Sequence, residues 1–252
     1  MWKWILTIIG MLIVVPGASG GTDFPSKATY HFLGRGQPIG RNEITFKKKD
    51  GKILITSSTR ISSDFFNDYE MNSETIVDPT TYRTLLFTYE GFQNGKPVSG
   101  QFIMTEDSVF GHIEYDGNEY PWHRKSSGSG IYSIQEYNME HHILLARAYL
   151  KQEKYVSNFQ LFFPSSTLLA PAKVSFESER ELPVGNRSLL SKKLRVEPRS
   201  SITVYQFIDP ETELPFYIFF SGSNIEAFLE SYFGEHPTSY LKVRETSAEV
   251  AK

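Results

Sequence analysis

The residue types with the most potential for chemistry are six histidines and a set of scattered carboxylates. His141 and His142 are adjacent, and adjacent residues of a helix point about 100° apart, so they cannot ligate one metal ion as an i, i+4 pair does. His112 and His123 flank a predicted turn and could lie near each other, but the chain has no cysteine to join them. We predict histidines on a helix surface at 141–142, with pH-sensitive contacts and a metal site as alternatives. We predict no metal and no cofactor.

No known motif for a catalytic nucleophile or a metalloprotease occurs in the sequence, neither G-x-S-x-G nor H-E-x-x-H. A glycosidase needs two carboxylates that face each other at about 5 to 10 Å, which a sequence does not reveal. We predict no catalytic residues and a noncatalytic role. A cofactor-independent enzyme that acts on an envelope lipid or glycan is the alternative. The candidate carboxylates fall on predicted solvent faces and turns: Glu43, Glu90, Glu106, Asp107, Glu114, Glu136 and Glu140.

A glycine-rich stretch, GRGQPIG at 34–40, raises the question of a phosphate-binding loop. A dinucleotide fingerprint needs G-x-G-x-x-G at the start of a helix. Here the third glycine comes one residue late, Pro38 intervenes, and the residues that follow alternate as in a strand. We therefore predict a hairpin turn with a bulge or tight bend.

The first twenty residues have the features of a secretory signal peptide. Lys3 precedes an apolar run at 5–15, and Ala18 and Gly20 are the small residues of a cleavage site. The apolar run is shorter than the roughly 18 residues of a transmembrane helix, and no later run reaches that length. We expect a periplasmic or secreted protein with no transmembrane segment after signal removal. Without cysteine there is no lipid anchor and no disulfide.

The overall charge argues against a polyanionic partner. The formal net charge is −3 at pH 7, and the only basic run, Lys47 to Lys49, leads into a turn. A nucleic-acid surface would require a concentrated basic patch. We therefore predict no nucleic-acid binding.

Three dipeptides between strand-like segments indicate antiparallel hairpins: Asp50-Gly51, Asn94-Gly95 and Asp116-Gly117. Such pairs adopt the positive φ angles of a type I′ turn, whose twist matches that of paired strands. After a predicted flexible link at 126–130, apolar residues at helical spacing predict a helix from about 137 to 150. Strands then resume. Ser223 and Glu226 have capping-box spacing, which predicts a short helix near 224–233.

The predicted fold class is mainly β: a curved antiparallel meander, as a half-barrel or open barrel, with one packed helix and a short C-terminal helix. The predicted organisation is a signal peptide at 1–20 and a single domain at 21–252, ordered from about 28 to 245. The sequence resembles the periplasmic bacterial proteins grouped as domain of unknown function 3108. The resemblance rests on Tyr30, Gly36 and Gly40 in the first hairpin and on Asp209 before Leu214-Pro215. It implies a half-barrel wrapped on a helix, similar to periplasmic lipoprotein carriers, and it brings no catalytic residues.

Several strands carry bulky apolar residues at successive positions, and therefore on both faces: 85–87, 161–163, 168–169 and 216–220. One interpretation is that helices or a second layer cover the second face. The other is an apolar hollow that binds a hydrophobic or amphiphilic ligand. Binding of an envelope protein through a sheet edge is a further alternative. The candidate ligand-binding residues are Phe65, Phe66, Tyr69, Tyr89, Phe92 and Trp122.

Overall fold

A computed structural model describes residues 24–64, 66–126, 130–135, 137–185, 187–199 and 202–240. The predicted signal peptide, the middle of the predicted link, Phe65 and Glu136 lie outside these described residues. The strands are β1 (Lys27–Gly34), β2 (Gln37–Lys49), β3 (Lys52–Ser63), β4 (Phe66–Val77), β5 (Thr84–Gln93), β6 (Lys96–Met104), β7 (Ser108–Tyr115), β8 (Asn118–Lys125), β9 (Ile131–Ser133), β10 (Val156–Phe163), β11 (Leu168–Val184), β12 (Arg187–Pro198), β13 (Val204–Ile208), β14 (Pro215–Phe220) and β15 (Ile225–Leu229). The helices are α1 (Met139–Leu150) and α2 (Glu230–Phe233), and a 3₁₀ turn spans Pro164–Ser166.

All fifteen strands form one curved, open sheet in the order β8-β7-β6-β5-β4-β3-β2-β1-β15-β14-β13-β12-β11-β10-β9. Neighbouring strands are antiparallel except β9 and β10, which are parallel. The sheet therefore consists of an N-terminal meander, β1 to β8, and a C-terminal group, β9 to β15. The two are joined where β1 pairs with β15. The predicted mainly β, half-barrel or open-barrel class is confirmed.

Two-residue turns set the register of the N-terminal meander. Both residues have positive φ in the turns Arg35-Gly36, Asp50-Gly51, Asn94-Gly95 and Asp116-Gly117, as a type I′ turn requires. The glycine-rich stretch is therefore a hairpin turn, as predicted, and a bulge lies beside it at Phe32 and Leu33. At Gly40 the neighbouring strand comes so close that a Cβ atom would lie 2.0 Å from the carbonyl oxygen of Arg60.

The sheet wraps around α1, which contacts β2, β9 and β14. Every residue of α1 from Met139 to Tyr149 is buried. The helix was predicted at nearly these bounds, but the prediction of surface histidines at 141–142 and of a solvent-facing Glu140 is wrong. A helix lying inside a curved sheet has no solvent face, so its polar side chains are buried with the apolar ones. No helix within the described ranges has the length and apolar character needed to span a bilayer.

The C-terminal part of the fold differs from the prediction. Residues 225–229 form β15, and only Glu230–Phe233 are helical. All five residues of β15 are buried between β14 and β1. Strand pairing on both sides outweighs the local capping-box pattern, which favoured a longer helix.

In β10, the bulky apolar residues at successive positions are buried on both faces of the strand. Leu161 and Phe162 are both fully buried. Phe162 contacts Phe102 at 4.7 Å and Trp122 at 4.9 Å between ring centroids. Trp122 of β8 thus packs against β10, which lies near the opposite edge of the same sheet.

Candidate functional site

The four predicted ligand-binding residues whose side chains the structure describes lie in different surroundings. Tyr69 and Tyr89 are buried, and Trp122 is half-buried against Phe102 and Phe162. Phe92 is 53% exposed on the outer face of the sheet. Phe66 begins β4, but its side chain lies outside the described part of the chain, as does Phe65.

The inside of the curved sheet is filled by α1 and a network of buried polar side chains. Asn138, just before α1, donates from Nδ2 to Ser73 Oγ at 3.0 Å and to Glu140 Oε1 at 3.1 Å. Ser73 also donates to Glu140 Oε1 at 3.0 Å. Asn42 on β2 donates to Thr59 and accepts from the backbone N–H of Met139. The network fixes the start of α1 against β2, β3 and β4 and places polar side chains between them.

Glu140 is a buried carboxylate in this network. Its side chain is fully buried, and Oε2 has no hydrogen-bond partner among the described residues. Burial raises the pKa of Glu140 above its ordinary value, opposed by hydrogen bonds from Ser73 and Asn138. Its burial and its hydrogen bonds place Glu140 in the core of the described structure.

The two helix histidines are buried core residues. His141 accepts from the backbone N–H of Gln135 at Nδ1 and lies 3.4 Å from Thr75 Oγ1 through Nε2. Burial lowers the pKa of His141 to about 3. His142 Nδ1 lies 3.3 Å from the amide nitrogen of Gln206 on β13. Among the described residues, no group of three or more His, Cys, Asp or Glu could hold a metal ion.

A cavity with a largely aromatic lining lies on the outer face of the sheet, across β11 to β14, and we call it the aromatic groove. Its volume is about 490 Å³. Gln206 on β13 faces the helix, so its neighbours Tyr205 and Phe207 face outward. Tyr205 pairs with Phe219, and Phe207 pairs with Tyr217, which aligns four rings as a floor. The groove is lined by Arg180, Leu182, Pro183, Lys193, Tyr205, Phe207, Tyr217, Phe219, Ser221 and Tyr240.

Two cations lie above this floor. The Lys193 ammonium is 4.3 Å from the centre of the Tyr205 ring, and the Arg180 guanidinium is 4.6 Å from that of Phe207. Lys193 also forms an ion pair with Glu177. No carboxylate or histidine is among the described residues that line the groove. The groove therefore combines aromatic surface with positive charge.

The segment after α2 forms one wall of the groove. Tyr240 packs on Tyr217 at 4.9 Å between ring centroids, and its hydroxyl donates to the carbonyl oxygen of Pro183. Buried Glu226 accepts from the Tyr217 hydroxyl at 3.0 Å and from the Tyr240 N–H at 2.9 Å. These contacts hold the wall in place over the floor.

The aromatic groove was not predicted, although the sequence carries part of its pattern. FYIFF at 216–220 carries bulky groups on both faces, and its outward residues are Tyr217 and Phe219. Tyr205 and Phe207 alternate in the same way on β13. Their meeting across strands depends on register, which was not predicted.

A second cavity, which we call the flap pocket, lies between β4 to β7 and the segments at 135 and 165. Its volume is about 310 Å³. Of the predicted ligand-binding residues whose side chains the structure describes, only Tyr89 lines it, and Tyr69 reaches it through a hydrogen bond from Gln135 at 3.3 Å. The pocket is lined by Met71, Tyr89, Gln93, Asn94, Val98, Ile113, Tyr115, Gln135 and Ser165.

Two shallow polar grooves of about 550 and 300 Å³ lie on the outer face of β2 to β7. Glu74 and Glu90 are diagonal neighbours there, on β4 and β5. Both side chains are exposed and lack the burial that tunes a catalytic acid. His31 and Glu230 form a pair at 2.8 Å, but neither lines any of the four cavities described above.

Comparison with known proteins gives a structural likeness and no match in sequence. The sequence matches no known family profile, and no curated protein is significantly similar to it. Among solved structures, the chain is similar to a β-barrel-like protein of domain of unknown function DUF1849 from Brucella abortus. The TM-score is 0.53 at 11% sequence identity, over 81% of this chain and 94% of the other. The likeness supports a β-barrel-like domain and carries no function.

Proposed function

We propose that this protein is a noncatalytic binding protein that holds an amphiphilic ligand with an anionic end in the aromatic groove. The composition of the groove carries the proposal: four rings form the floor, Arg180 and Lys193 lie above it, and no carboxylate is among its described lining residues. The apolar body of the ligand would lie on Tyr205 and Phe219, the two half-buried rings of the floor, and its anionic end would meet the two cations.

The size and energetics of the groove fit such a ligand. Its volume of about 490 Å³ falls in the range of small-molecule sites, about 300 to 1,000 Å³. Covering apolar surface contributes about 25 cal/mol per Å². A hydrogen bond to a charged group contributes about 1.5 to 3 kcal/mol. The ion pair of Lys193 with Glu177 and the ring contacts hold both cations near the floor before a ligand arrives.

Partner binding through a sheet edge is less well supported, because the exposed edge strand is interrupted. Tyr115 and Asn118 flank a type I′ turn, so their backbone groups are hydrogen-bonded to each other. Along β8, the backbone groups of every second residue after Glu119 therefore point away from β7, toward the free edge of the sheet. Pro121 is one of these and has no N–H to donate. At the other edge, β9 has only three residues, all buried.

We also propose that the protein is periplasmic or secreted, because residues 1–20 have the composition of a signal peptide. A role similar to that of periplasmic lipoprotein carriers, as the resemblance to domain of unknown function 3108 implies, would agree with binding of an amphiphile. An envelope protein that delivers or receives the ligand would be its natural partner.

Fluorescence titration with the anionic dye anilinonaphthalene sulfonate tests the groove. We expect saturable binding to the wild type. Binding to the double variant Arg180→Gln, Lys193→Gln should be roughly tenfold weaker, because the variant lacks both cations that would meet the sulfonate. A tenfold change in affinity corresponds to about 1.4 kcal/mol. Lys173→Gln, an exposed position on β11 that does not line the groove, is the matched control. Equal affinity of the double variant and the control would refute the proposal.

Native mass spectrometry of protein purified gently from its source identifies the natural ligand class. An anionic amphiphile that copurifies with the wild type and is lost from the double variant would agree with the proposal. A clean apoprotein mass together with no dye binding would contradict it.

A further inference from the structure

We infer that the flap pocket is a second, separate binding site, and that it takes a small uncharged molecule with an apolar ring or short chain and a hydrogen-bonding end. The inference does not rest on the proposed function of the aromatic groove. The two cavities share no lining residue and lie in different halves of the sheet.

The apolar part of the pocket comes from alternate residues on four adjacent strands. Met71 on β4, Tyr89 on β5, Val98 on β6 and Ile113 on β7 lie on the same face of the sheet. Tyr115, two residues after Ile113, extends this wall to the end of β7. These side chains offer a ligand aliphatic, thioether and aromatic surface.

Tyr89 is held in place by its neighbours. Its ring lies 5.5 Å from that of Phe87 and 6.5 Å from that of Phe102. It also covers Gly100, where a Cβ atom would come within 2.7 Å of the tyrosine ring. The absence of a side chain at Gly100 therefore allows the ring to lie flat along β6. The wall is rigid before any ligand binds, which reduces the entropy cost of binding.

The polar end of the pocket is built from amide groups. Gln135 donates to the Tyr69 hydroxyl at 3.3 Å and accepts from the backbone N–H of Ser165 at 3.2 Å, which fixes its orientation. Gln93 and Asn94 also line the pocket, at the turn between β5 and β6, and Gln93 is paired with Tyr69 across β4 and β5. An amide offers both a donor and an acceptor, so this end suits a hydroxyl, carbonyl or amide group of a ligand.

The lining chemistry selects against ions. None of the described residues that line the flap pocket carries a charge. Moving an ion from water into such a site without a partner of opposite charge has a high desolvation cost. The volume of about 310 Å³ equals that of about ten waters, at roughly 30 Å³ each, so the ligand is small. A phospholipid would not fit.

Titration with the neutral dye N-phenylnaphthylamine, which shares its ring system with the sulfonated dye, tests this inference. We expect saturable binding that becomes roughly tenfold weaker, about 1.4 kcal/mol, when Ile113→Trp fills the pocket. Ile113→Phe should give a smaller loss in the same direction. Ile103→Trp is the control, because Ile103 is 54% exposed on the outer face of β6.

The double variant Arg180→Gln, Lys193→Gln distinguishes dye binding in the flap pocket from dye binding in the aromatic groove. We expect it to bind the neutral dye as the wild type does. Thermal unfolding confirms that each variant is folded, and the graded Ile113→Phe variant keeps the test valid if Ile113→Trp fails to fold. No saturable binding of the neutral dye to the wild type, or binding that is unchanged by both Ile113 variants, would overturn the inference.

Discussion

At the scale of single residues, the most informative side chain is Glu140. It is an acidic residue in the first turn of α1, where a carboxylate usually faces solvent and interacts with the helix dipole. Here it is fully buried and one of its oxygens lacks a hydrogen-bond partner within the described structure. A single sequence predicts the helix, but the burial of Glu140 depends on how far the sheet curls around it.

The buried carboxyl group leads to a prediction about pH. Because the pKa of Glu140 is raised in the folded state, the folded protein binds the proton more tightly than the unfolded chain. The contribution to stability is full below the ordinary carboxyl pKa and is lost as pH rises through the raised value. Glu140→Gln should therefore increase the free energy of unfolding at neutral pH by roughly 1 to 3 kcal/mol.

Chemical denaturation of wild type and Glu140→Gln across the acidic and neutral range measures this effect. The difference between the two should grow with pH. Glu74→Gln, an exposed position on β4, is the control and should change stability little at any pH. A Glu140→Gln variant that is less stable than the wild type at neutral pH would show that the carboxylate is better satisfied than its contacts indicate.

At the scale of elements, the hairpins were predictable and the strand at 225–229 was not. The dipeptides at 50–51, 94–95 and 116–117 determine tight turns through their own φ angles, so local chemistry is sufficient. Residues 225–229 form a strand only because β1 and β14 flank them, and β1 is far away in sequence. The aromatic groove likewise depends on register between β13 and β14. Residue types suggested bulky outward side chains but not which of them meet.

Gly40 gives a prediction at the level of strand packing. Any side chain there would place Cβ 2.0 Å from the Arg60 carbonyl oxygen on β3. Gly40→Ala should therefore push β2 and β3 apart and destabilise the fold by about 1 to 3 kcal/mol. Thermal or chemical unfolding measures the change.

The matched control for Gly40→Ala is Gly51→Asn. Gly51 has φ +71 in a turn, and a Cβ atom added there would have no other atom within 4 Å. Asparagine tolerates this backbone region, so the loss should stay below about 1 kcal/mol. Similar losses at both positions would mean that close strand approach at Gly40 does not limit the fold.

At the scale of the whole molecule, the sequence predicted a curved sheet around a helix, and the structure has one. The extent of closure was not predictable, because it depends on contacts between strands that are far apart in sequence. Phe102 and Trp122 of the N-terminal meander pack on Phe162 of β10. Trp122 was a candidate for ligand binding, but its ring closes one end of the sheet onto the other.

The predicted signal peptide gives a further prediction, about the cellular location of the protein. If residues 1–20 act as a signal peptide, the protein recovered from its source should begin near residue 21 and be found in the periplasmic or secreted fraction. Intact-mass measurement after cell fractionation tests this. Deletion of 2–20 is the control and should leave the protein inside the cell. Recovery of the complete 252-residue chain from the cytoplasm would rule out cleavage and export.

The pairing of β1 with β15 also has a kinetic consequence. Tyr30 pairs with Leu229, so the central seam of the sheet joins residues from nearly opposite ends of the described chain. Contacts of such long range form slowly, because a large loop must be closed first. Until β15 has been synthesised, the N-terminal meander presents β1 as an unpaired edge that other chains can use. The N-terminal meander is thus most vulnerable to misassembly in the interval before β15 pairs with β1.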